Sequence, residues 1–202
     1  RGVPGVPRTV SGVAGDSRVS VSWVAPASDG GAPISGYAVT STPGGKSCTT
    51  AGALTCEVTG LTNGAGYTFT VVATNSAGTS AASAASAVVT PRTTPGAPTG
   101  LVATAGDRSA SVAFVAPGSD GGAAVSNYEV SVDNGATWVA RDPASVASPV
   151  VIGGLTNGVA YQVKLRAVNA AGPGAPSVAV AVTPRGVPGV PRTVSGVAGD
   201  SR

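Results

Sequence analysis

Few residues of this chain have the type and spacing to do chemistry, and the two cysteines lead them. Cys48 and Cys56 close the stretch SCTTAGALTC. Catalytic redox pairs usually hold their thiols two residues apart, and this pair is more widely separated. A tetrahedral metal site needs further nitrogen or sulfur ligands, and the chain has no histidine and no third cysteine. What remains is a structural disulfide tying the segment before a strand to the strand itself. Closing so small a loop stabilises a fold by about 2 to 3 kcal/mol. It also implies an oxidising, extracellular setting.

Acid and base groups offer less. Asp29 and Asp120 each open a DGG tripeptide, but calcium takes roughly six to eight oxygens and each loop has one carboxylate. A turn is the better reading, with Asp accepting local backbone hydrogen bonds and Gly supplying positive φ. Asp16 with Arg18 and Asp107 with Arg108, in GDSR and GDR, read as solvated turn charges. There are no paired carboxylates, no Gly-x-Ser-x-Gly and no phosphate loop. The expectation is a chain with no catalytic residues, no metal and no cofactor, and therefore not an enzyme.

Charge narrows the partners. Charged residues make up 10% of the chain, and its net charge of +3 comes from 12 basic and 9 acidic side chains scattered singly. Nucleic-acid binding needs clustered cations and exposed aromatics, so no nucleic-acid partner is expected. No apolar run approaches the ~18 residues that span a bilayer, so no membrane insertion is expected either. The Ala/Gly/Ser/Thr/Val-rich surface suits a secreted or cell-surface protein.

Repetition sets the elements that must position these residues. Arg1–Arg18, RGVPGVPRTVSGVAGDSR, returns letter for letter as Arg185–Arg202, a period of 184 residues. Inside that period PGVPRTV (Pro4–Val10) answers PGAPTGL (Pro95–Leu101), and GLTNG occurs at Gly60–Gly64 and Gly154–Gly158. Such a pattern means arrayed modules. We read a domain over 1–92, a second over 93–185, and the first strand of a third, repeated domain over 186–202. With no Met, 30 Gly and 16 Pro among 42% hydrophobic residues, the chain reads as a piece of a longer tandem protein built of short strands and turns.

In the first domain Pro4–Pro7 is a stiff lead-in, and Thr9–Ala14 forms a strand. Val19, Val21 and Trp23 then share one face of the next. Tyr37 and Val39 point inward after Ile34. Leu54, Cys56 and Val58 mark a further strand, Phe69, Val71 and Ala73 another, and a last strand runs from about Ala84 to Pro91. The second domain repeats the plan at an offset of 91 residues, later 94: Trp23 becomes Phe114, Tyr37 becomes Tyr128, Tyr67 becomes Tyr161, and Val150 falls near the place of Cys56. Trp23 and Phe114 are the expected core aromatics, and Trp138 is expected to make up packing lost at Phe114.

A Pro-x-x-Pro lead-in, an aromatic on the second strand, Gly-Tyr on the third, Leu with Tyr six residues on, and the tail Y-x-F-x-V-x-A-x-N together resemble fibronectin type III domains. The resemblance covers the whole chain, and the tandem is similar to those of large bacterial surface and secreted proteins. It implies an all-β fold of two seven-stranded immunoglobulin-like sandwiches, three strands in one sheet and four in the other. It further implies that Leu61/Tyr67 and Leu155/Tyr161 are tyrosine corners, with each ring buried and each hydroxyl bonded to upstream backbone. No Arg-Gly-Asp occurs, so the integrin binding of some members does not carry over.

The function expected is a structural repeat of an extracellular fibre or surface appendage, a rigid spacer whose partners are neighbouring copies in tandem or head to tail. Short proline-bearing junctions should hold a preferred angle between domains. The alternative is an adhesin or carbohydrate-binding accessory module whose glycan or matrix ligand meets the loops Asn75–Ser86 and Asn169–Ser177. Those loops have few Trp, Tyr or Arg anchors.

Overall fold

The computed structural model describes residues 1–186 and Gly189; the strand expected within 186–202 lies outside the described residues. Period-two alternation governs what is seen. In β2 (Arg18–Val24), Val19 and Val21 are fully buried and Trp23 nearly so, while the intervening serines face outward. That strand lies between β1 (Arg8–Gly15) and β5 (Thr55–Thr59) in a three-stranded antiparallel sheet. The facing sheet has the order β4 (Ser47–Thr50), β3 (Ile34–Thr42), β6 (Thr68–Asn75) and β7 (Gly78–Thr79). Tyr37 and Val39 of β3 and Phe69, Val71 and Ala73 of β6 meet β2 in one core. The Trp23 and Tyr37 ring centroids are 5.4 Å apart and tilted by 58°, a favourable offset geometry.

The second domain repeats this arrangement. A sheet of β8 (Thr99–Gly106), β9 (Ser109–Val115) and β12 (Val150–Ile152) faces one built on β10 (Asn127–Ser131) and β13 (Tyr161–Asn169). β11 (Val139–Ala140) flanks β10, while β14 (Gly172–Pro173) and β15 (Val180–Val182) both pair with β13. Phe114 takes the place of Trp23 and packs on Tyr128 at 4.5 Å, edge to face. Each domain is thus an all-β sandwich with its own core.

Three local expectations need correction. The strand expected from Ala84 to Pro91 is instead a bridge at Val89, opposite Tyr67, preceded by a segment with no regular strand. Its sequence, SAASAAS over 80–86, places a serine at every third residue. Ser80, Ser83 and Ser86 give their backbone N–H groups to the carbonyls of Ala73, Val71 and Phe69. Their hydroxyl oxygens accept the N–H groups of the same three residues at 3.0 to 3.1 Å. Serine side chains therefore replace half of a strand ladder, and a three-residue turn brings each back to the β6 edge. The serines are buried and Ala81, Ala82, Ala84 and Ala85 are exposed, which inverts the usual pattern.

Leu54 is 39% exposed and precedes β5; its contribution is a carbonyl that accepts the Trp23 N–H. Trp138 is not a core residue. It lies half-buried on the outer face of the sheet with the Arg166 guanidinium 4.3 Å from its ring centre, because Arg166 alternates with the inward Leu165 and Ala167. Arg166 also pairs with Glu129 across the strands.

Candidate functional site

The residues that the fold brings together with most detail lie where one domain meets the next. Asn63, in the turn after β5, bridges to the turn between β1 and β2: its Oδ1 accepts the Ser17 N–H at 2.8 Å and its Nδ2 donates to Asp16 Oδ1 at 2.7 Å. Beside it the Gly64 N–H donates to Pro91 O, and the Arg92 N–H returns to Gly15 O. The end of the first domain is therefore tied down on two sides. One residue later the Thr93 N–H donates to Gly121 O in the second domain, and Asn169 Nδ2 donates to both Thr93 O and Asp120 O. Fixed hydrogen bonds thus hold the linker at each step, which removes much of the freedom a short peptide otherwise has.

The domains also touch directly. Gly122 stands at φ +83, and a Cβ placed on it would lie 2.6 Å from the Asn63 carbonyl carbon and 2.8 Å from Asn63 Cβ. Only a glycine fits there, for lack of space as well as for its backbone conformation. The Asp120 carboxylate accepts the Gly122 N–H at 2.8 Å and Asp29 does the same for Gly31, so both aspartates shape turns. Among the described residues no group of three His, Cys, Asp or Glu is placed to hold a metal ion.

Cys48 and Cys56 are joined by a disulfide whose Cα atoms are 6.2 Å apart. Cys48 pairs with Val39 on β3 and Cys56 with Val21 on β2, so the bond staples the two sheets along one edge. In the second domain Val139 and Val150 hold the corresponding register positions. With no staple there, that edge opens into a cavity of about 770 Å³ lined by Val130, Val139, Val150, Ile152, Leu155 and Tyr161 among others. Cysteine spacing points to the staple; nothing in the sequence of the second domain points to the cavity.

At the tyrosine corners, Tyr67 is buried and its hydroxyl oxygen accepts the Thr62 N–H at 3.0 Å. Tyr161 accepts the Thr156 N–H in the same way but is only half-buried. Leu61 and Leu155 are buried beneath them, and their N–H groups donate to Ser17 O and Arg108 O. The corners thus fix the turns that carry Asn63 and Asn157. Sequence reasoning took Asn75 and Asn169 as strand ends and as the first residues of candidate ligand loops, and gave Asn63 and Asn157 no role. The recurrence of each asparagine at matching places in the two domains was the available signal.

The solved structure of the FN1–FN3 domains of chicken CNTN1 is similar to this chain at 21% identity, covering 92% of this chain and 68% of that one, with a TM-score of 0.43. The sequence model of the fibronectin type III domain matches residues 5–89 and again 96–183, and so the chain belongs to the fibronectin type III family, two domains in tandem.

Proposed function

We propose that the chain is a structural repeat module of an extracellular fibre or surface appendage, a rigid spacer whose partners are further copies of itself. The observation that carries this reading is the joint: a linker held by backbone hydrogen bonds on both sides and a glycine seat that leaves the domains little room to swing. The Cys48–Cys56 disulfide and the sparsely charged surface favour an extracellular setting. The domains of this family are generally non-catalytic, and the polar groups described above go into turns and joints. Electron microscopy of the native material tests the proposal. The expected result is thin extended threads whose axial repeat equals one domain pair; collapsed or freely jointed particles would refute it.

A second reading, a binding module, draws support from the cavity of the second domain. Its volume suits a small ligand, and its valine, leucine and isoleucine wall favours an apolar group over a sugar. Trp138, the aromatic best placed to stack on a sugar ring, has one face taken by Arg166. Titration with small apolar ligands alongside glycan and matrix fragments discriminates, since this reading requires binding that Val139→Asp, at an exposed residue of the cavity wall, abolishes.

A further inference from the structure

Each end of this two-domain unit carries half of a joint. At the N-terminal end, the Gly2 N–H donates to Gly30 O at 2.8 Å, and Asn75 Nδ2 donates to Gly2 O at 2.9 Å and Asp29 O at 2.7 Å. These are the bonds that Thr93, Gly121, Asn169 and Asp120 make where the second domain receives the first, with the corresponding distances 2.8, 2.8 and 2.7 Å. At the C-terminal end, Asn157 Oδ1 accepts the Arg108 N–H at 2.9 Å and Asn157 Nδ2 donates to Asp107 Oδ1 at 2.7 Å. The Gly158 N–H donates to Pro184 O at 2.9 Å and the Arg185 N–H to Gly106 O at 3.0 Å, as Gly64 and Arg92 do in the first domain. Arg185 is also where the sequence begins to repeat from Arg1.

Among the described residues, one contact of the inner joint has no counterpart at either end. Gly122 is pressed against Asn63 and Gly64, whereas Gly31, its equivalent in the first domain at φ +79, has nothing near it. The Asn157–Gly158 turn, equivalent of Asn63–Gly64, is held in the same way by its own domain. We infer that Gly31 and the Asn157–Gly158 turn are the two faces of a second joint, closed between successive copies of the 184-residue period, with the same geometry as the joint inside it. The occupant of the Gly31 face is thus the Asn157–Gly158 turn of another copy of this chain, joined in sequence register. Two joints of one geometry give every domain the same rotation relative to its predecessor, and the array becomes a regular screw rather than a chain alternating between stiff and loose links. The inference rests on the spacer reading and specifies its repeat.

The pair Gly31 and Gly122 supplies its own control. Both glycines sit at nearly the same positive φ, so alanine imposes the same backbone strain at either place and only the contact differs. In the 202-residue chain, residual dipolar couplings should give one alignment tensor for both domains. Gly122→Ala should split it into two, while Gly31→Ala should leave it single. In a chain of two 184-residue periods joined in register, Gly31→Ala in the second period should split the alignment between the second and third domains. Gly64→Ala, which approaches the same seat from the other side, replaces Gly122→Ala if that variant fails to fold. A shared tensor that survives both Gly122→Ala and Gly64→Ala overturns the seat. A silent Gly31→Ala in the doubled chain overturns the second joint, yet leaves the spacer reading standing. Absence of extended threads by microscopy removes the spacer reading, and the couplings measured within the 202-residue chain stand regardless.

Discussion

Asp133 shows how much a single exposed side chain organises when its partners are arranged around it. Its carboxylate accepts the hydroxyl of Ser131, the last residue of β10, and the N–H and hydroxyl of Thr137 in the turn that follows. Those donors favour the charged form, led by Ser131, and hold the carboxyl well below the ordinary carboxylate range. A depressed folded-state value means the contribution is complete above the unfolded value and fades as pH falls through the folded one. The second domain should therefore lose stability on acidification below about pH 4, and Asp133→Asn should flatten that part of its profile while the first domain is unchanged. Thermal melts from pH 2 to 6 check this. Some single residues were legible and others were not. The cysteines announced themselves by spacing, and Trp23 and Phe114 by alternation. Asn63 did not, because its partners Asp16 and Ser17 lie more than 40 residues earlier in the chain, and only the fold brings them within reach.

At the scale of elements, period-two patterns located most strands of both sandwiches, since a half-buried strand has to alternate. The same template failed over residues 80–88. There the informative spacing is three, and its buried residues are polar, so a search for apolar alternation or helical periodicity passes over it. The three serines do what a strand backbone does elsewhere, which makes each hydroxyl structural. Ser83→Ala should leave the Val71 N–H buried without a partner and cost about 1 to 3 kcal/mol. Urea denaturation measures the loss, and faster hydrogen exchange at the Val71 amide locates it. Trp138 misled for a different reason: its turn sits outside the sheet, and an aromatic on an outer face looks in sequence like one on an inner face. Cation–π contact with Arg166 accounts for its position, a contribution of about 0.5 to 1 kcal/mol.

For the whole molecule, the two cores share no residue, and only one of them is stapled. Calorimetry should resolve two transitions. A reductant should move the first domain's transition down by about 10 °C or more, following the loss of about 2 to 3 kcal/mol in a domain of this size, and leave the other in place. Coincident shifts in both would mean that the joint couples the cores. The tandem organisation was legible from internal repetition alone, whereas the fit of Gly122 on Asn63 was not, because contacts between modules depend on a relative rotation that no periodicity encodes.

The inverted serine segment has a last consequence. Sheet edges are where proteins fuse into insoluble aggregates, because a bare row of amides and carbonyls invites a neighbour's backbone to zip on. In the first domain the amides of that row donate to serine hydroxyls and its carbonyls accept serine N–H groups, and what faces the surroundings is a ridge of alanine methyls. Molecules crowded flank to flank find no template along this border, so strand-to-strand fusion through the β6 side of the domain is closed to them.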